Sequence, residues 1–117
     1  MIRKIANLDP EEQATTSITV GELVYGAHRS GNPKKFLAAL DDLVWPNLRV
    51  LDFDRNAAEI YGALRADLEK AGKKLPEPDL RIGAISLRHG ATLATGNLRH
   101  YRRIPGLTTE DWLAPYR

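Results

Sequence analysis

Short β-favouring runs alternate with stretches of helical period along this chain, and that alternation limits the folds open to it. Ala14 to Thr19 is rich in Thr and Ile and reads as a strand. Val20, Leu23, Val24 and Ala27 then form a helical stripe. After the break "RSGNP", Pro33 suits the first turn of a second helix. Phe36, Leu37, Leu40 and Leu43 carry that helix's apolar face until "WPN" ends it. Leu48 to Phe53 alternates as a strand. Asp54 to Ala71 is the clearest helix: Ala57, Tyr61, Leu64, Leu68 and Ala71 recur at three-to-four spacing, Asp54 reads as its N-cap and Gly72 as its C-cap. A polar loop, "KKLPEP", leads to a mostly apolar helix from Asp79 to His89, closed by Gly90 and buried on both sides. Ala91 to Thr95 is a buried strand, Asn97 to Arg103 a short helix, and Leu107 to Thr109 a last strand. Residues 2–7 read as the tail of a further helix. Strands alternating with helices predict an α/β fold, with a parallel sheet between helical layers.

The 117 residues suit one domain. With 17 Lys+Arg against 15 Asp+Glu, the net charge of +2 makes only a weak general case for nucleic acid, so any such case rests on local clusters. The absence of Cys excludes disulfides and thiolate metal sites and is compatible with a cytoplasmic location. The start "MIRKIANLDPEEQ" has no signal-peptide core, and no run approaches the roughly 20 apolar residues of a membrane span.

Glu22, Asp79 and Asn97 stand where strand-like or loop segments hand over to helices, and ligands of open α/β sheets bind in such crevices. Carboxylates meeting there make a hard, oxygen-rich site suited to Mg²⁺ or Mn²⁺. Each residue also has a plain structural reading. Thr19 followed by Glu22 is a capping box, and Asp79 and Asn97 are both suitable N-caps. Asp41, Asp42, Asp67 and Glu69 read as a solvated face, and Glu77 as a solvated loop residue. His28, His89 and His100 lack zinc-ligand spacing. In "NLRHYRRIPG", Arg99, Arg102 and Arg103 surround Tyr101, a pattern suited to an RNA backbone. The alternative is an exposed charged helix with Tyr101 packed inward.

The segments "SITVGELVYGAHRS", "LDFDRNAAEIYGALRADLEKAG" and "PDLRIGAISLRHGATLATGNLRHYRRIPGLTTEDWL" resemble, in order and spacing, the PIN-domain ribonucleases of bacterial toxin–antitoxin systems, the VapC type. The resemblance implies a three-layer PIN-like fold and Mg²⁺- or Mn²⁺-dependent endonucleolytic cleavage of RNA. It implies that Glu22 and Asp79 are metal ligands, and that Thr95 and Asn97 match a T-x-N/D segment in which Asn97 positions water. It further implies a homodimer and a VapB-type antitoxin as partner. The sequence departs from the family at its start. There the family has a strand ending in an Asp-Thr/Ser-Asn motif, and nothing before Ala14 matches it. The expectation is a single PIN-like domain over residues 1–117 that lacks the first strand and its Asp. It would therefore cleave RNA weakly, or serve only as an inactive antitoxin-binding module.

Overall fold

A computed structural model describes residues 14–95 and 101–111. The first strand ends sooner than its composition predicts. β1 is Ala14–Thr16, and helix α1 (Ser17–Arg29) follows at once. Thr16, in extended backbone, is the N-cap: its hydroxyl accepts from the Thr19 N–H at 3.0 Å. The cap therefore lies three residues before the predicted one. β propensity at Ser17 to Thr19 is a weak preference, and the apolar stripe that follows recruits these residues into the helix. The Ser17 hydroxyl accepts from the Phe53 N–H at 3.3 Å, which ties the start of α1 to the exit of strand β2 (Arg49–Leu51).

Helix α2 (Pro33–Ala39) begins as expected, with Pro33 in its first turn and Asn32 as cap. It widens into a π-helical turn (Leu40–Val44) and tightens into a 3₁₀ turn (Trp45–Asn47) at Pro46, which has no N–H to continue the ladder. Helix α3 (Arg55–Lys70) is capped by Asp54, whose carboxylate accepts from the Ala57 N–H at 2.8 Å. Gly72 at φ +69° turns the chain out of it. Helix α4 (Glu77–His89) starts two residues before Asp79, because Pro78 fits a first turn, and ends at the left-handed Gly90. Strands β3 (Leu93–Thr95) and β4 (Thr109–Asp111) are shorter than or displaced from the predicted runs.

Both strand pairings are parallel, as predicted. Ala14 lies opposite Arg49 in β1–β2, and Leu93 opposite Thr109 in β3–β4. The described strands form these two pairs rather than one continuous sheet. The predicted helix at residues 2–7, the expected departure at the chain's start, and most of the predicted Asn97–Arg103 helix lie outside the described residues. Among the described residues, no helix is long and apolar enough to cross a membrane.

The core centres on α3 and α4, where Leu64, Leu68, Leu80, Ile85, Leu93 and Ile104 pack together. The segment from Tyr101 to Gly106 runs along α4 in a fixed register. Tyr101 meets Asp79, Ile104 fills the notch at Gly83, and Gly106 sits beside Leu87. Positions 79, 83 and 87 share one helix face at four-residue spacing. A Cβ on Gly83 would lie 2.5 Å from Ile104 Cδ1, and Ile104 is buried. Gly83→Val should therefore push this segment off α4 and destabilise the fold by about 1–3 kcal/mol, as overpacking does. Urea denaturation at constant m-value measures it.

Candidate metal centre

The helix starts decide what Glu22 and Asp79 can do. With Thr16 as cap, the three-residue capping reach ends at Thr19, so Glu22, in the second turn of α1, is not a capping acid. Its side chain is exposed. Asp79 is the third residue of α4 rather than its N-cap, a place held by Pro76. Asp79 is half-buried, and its charge lies in the first turn, where the helix dipole favours an anion.

Asp79 meets Tyr101 directly, and Glu22 acts on the same phenol as a nearby charge. The Tyr101 hydroxyl donates to Asp79 Oδ1 at 3.2 Å, and the residue is 5% exposed. Burial pushes its phenol well above the ordinary tyrosine range, and the nearby Asp79 and Glu22 charges push it further. It is thus a permanent donor at neutral pH. Inward packing, the plain alternative for this residue, is what the fold adopts, yet the packing brings it to the site. No local pattern points to this, because the hydrogen bond joins residues 22 apart in sequence.

Asn97 and Arg99 lie outside the described residues. Arg102 and Arg103 are exposed. Arg103 Nη1 donates to the Lys74 carbonyl at 3.1 Å, so part of this predicted RNA contact braces the loop before α4.

The opposite side of the first turn of α4 is fastened to α3. Glu77, predicted as a loop residue, lies in the helix because Pro78 extends the first turn to it. The Tyr61 hydroxyl donates to its carboxylate at 2.5 and 2.6 Å. Arg81 Nη2 lies 3.0 Å from that carboxylate and Arg65 Nη1 3.6 Å. The Arg81 guanidinium also stands over the rings of Phe53 and Tyr61, at 5.7 and 5.8 Å. Residues two apart on a helix point to different sides, so Glu77 faces cations while Asp79 faces Tyr101. Glu22 and Asp79 each offer hard oxygen donors, the kind Mg²⁺ or Mn²⁺ takes rather than a soft metal, while among the described residues no three His, Asp or Glu side chains gather as a metal cluster.

The PIN domain profile matches residues 2–107. The chain belongs to the PIN-domain family. Within it, the sequence is 38% identical over 111 residues to the tRNA(fMet)-specific endonuclease VapC of Salmonella typhimurium, covering 95% of this chain and 83% of that one. It is 36% identical over 107 residues to the ribonuclease VapC2 of Haemophilus influenzae, covering 92% and 80%. The fold superposes on VapBC2 of Rickettsia felis, solved bound to a promoter DNA fragment, with a TM-score of 0.80 at 34% identity over 85% of this chain and 74% of that one. These likenesses place the chain in the VapC branch of the PIN family.

Hydrogen bonding by Tyr61, and then the Arg81 and Arg65 cations, hold the Glu77 carboxyl below its ordinary pKa against the opposing effect of burial. A carboxyl with a depressed folded-state pKa stabilises the fold above its unfolded value, and that stabilisation is lost as pH falls through the folded value. Glu77→Gln should therefore lower the melting temperature at pH 7. The wild-type and variant values should converge on acidification below about pH 4, where carboxylates protonate. Thermal melts across that range check the sign.

Proposed function

We propose that this chain is a VapC-type endoribonuclease acting in the cytoplasm, which uses Glu22 and Asp79 to hold Mg²⁺ or Mn²⁺ and hydrolyse RNA phosphodiester bonds. The observation that carries the reading is Asp79 accepting from a buried phenol that also feels the Glu22 charge, in a chain of VapC ancestry. A bound divalent cation supplies polarisation of the scissile phosphate and an acidified water. Glu22 and Asp79 supply the anionic oxygens, each from a rigid helix. Arg102 is exposed beside the site and fits a flanking phosphate. Asn97 completes the reading as the residue that positions water, and Arg99 as a further backbone contact. The Salmonella relative's name makes tRNA(fMet) the first RNA to try.

The reading includes a VapB-type antitoxin and self-association. Between α1, α2 and the π-helical turn lies an apolar groove of about 450 Å³, lined by Phe36, Ala39, Leu40, Leu43 and Val44 with Ser30 and Asn32 at its edge. Tyr25 and Leu43 are 63% and 70% exposed. Apolar surface gathered in this way marks an interaction site, and the Rickettsia neighbour is itself a VapBC assembly.

Purified protein with Mg²⁺ or Mn²⁺ should cleave tRNA(fMet) or another component of total RNA, at the weak rate expected of a sequence without the family's first Asp. Asp79→Ala should lower the rate more than about 100-fold, because even outer partners of a metal site are worth about 10–100-fold. A chain that binds its partner but leaves every RNA intact would instead fit the binding-module reading.

Leu43→Asp tests the groove. Titrated with the antitoxin encoded beside it, the variant should bind at least about tenfold more weakly, or ~1.4 kcal/mol. Its melting temperature should stay unchanged, because Leu43 is exposed.

A further inference from the structure

The Tyr101 hydroxyl is placed by the packing of its ring in the core. The ring belongs to the core cluster with Leu80 and Ile104. The Ile104 contact at Gly83 and the Gly106 contact at Leu87 fix the register of this segment along α4. The oxygen that reaches Asp79 is therefore held from two further points on the same helix face. The terminal torsion of an Asp side chain is broad and two-fold, so a carboxylate needs a fixed partner to hold one plane. An ionised carboxylate only accepts, and a phenol at neutral pH is a donor.

We propose that Tyr101 is a positioning residue of the metal centre: its buried hydroxyl, donating to Asp79 Oδ1, orients that carboxylate. The inference rests on the metal-site reading above and adds a residue to it. Outer hydrogen-bond partners of metal ligands set ligand orientation and tune affinity. Tyr101 would do this for Asp79 from a third segment, distinct from the helices carrying the two acids.

The test is Mn²⁺ binding by titration calorimetry on the full chain, with Tyr101→Phe, Asp79→Asn and the double variant, alongside thermal melts. Tyr101→Phe keeps the ring and removes only the hydroxyl. The expected result is a loss of Mn²⁺ affinity of about 10-fold or more in Tyr101→Phe, measured at a temperature where the melts show every variant folded. In the Asp79→Asn background, removing the hydroxyl should add little, because its partner has already changed. RNA cleavage should fall through kcat at saturating metal, with KM for RNA held. Wild-type affinity in Tyr101→Phe, with Asp79→Asn impaired, overturns the positioning role and leaves the metal site standing. A wild-type chain that binds no Mn²⁺ overturns the metal site and this role together. Equal, additive losses in both backgrounds also overturn it, because they would show that the hydroxyl acts on stability and not through Asp79.

Discussion

The packing of residues 101–106 against one face of α4 is the constraint on which the site depends. A glycine at position 83 leaves a notch, Ile104 enters it, and Tyr101 is carried to Asp79. The phenol is buried, and an unpartnered buried hydroxyl costs about 1–3 kcal/mol. The hydrogen bond is therefore part of what makes this packing acceptable as well as part of the site. A fold that lost the notch at Gly83 would also misplace the oxygen that touches Asp79. Core packing and site geometry are thus one interaction seen from its two ends.

Helix α4 separates two acids of its first turn into different roles. Glu77 turns toward α3, where Tyr61 donates to it, and Arg65 of α3 and Arg81 of its own helix balance its charge. Asp79 turns the other way, toward Tyr101, whose phenol also feels the charge of Glu22 on α1. The same helix start thus holds a carboxylate that fastens it to α3 and a second one that accepts from a buried phenol. The structural acid and the proposed ligating acid are two residues apart, so neighbours in space, not sequence position, distinguish them.

The molecule also leaves apolar surface outside its core. Phe36 and Leu43 border a groove that the described helices do not fill, and Val50 on β2 is 43% exposed. A partner that binds only the folded form stabilises it by mass action. Stability and regulation would then be linked through one surface, on a different part of the molecule from the core packing that fixes Tyr101.

The sequence by itself determined the local elements. The period of Ala57, Tyr61, Leu64 and Leu68 marks α3, Asp54 caps it, Pro33 opens α2 and Gly90 closes α4, all as read. Alternation of strands and helices correctly implied parallel pairing. Glu22 and Asp79 were singled out from their places in the chain and from the family resemblance. Tertiary structure decided the rest. It set the first cap at Thr16 rather than Thr19, it began α4 at Glu77, and it formed contacts with no sequence signal: Tyr61 to Glu77 across 16 residues, Tyr101 to Asp79 across 22, and Phe53 to Ser17 across 36. The physical reason is the range of the forces involved. Periodicity, caps and turn residues act within a few positions and are written locally. The meeting of a phenol with a carboxylate depends on how whole faces of α4 and the returning segment pack, and no local pattern carries that information.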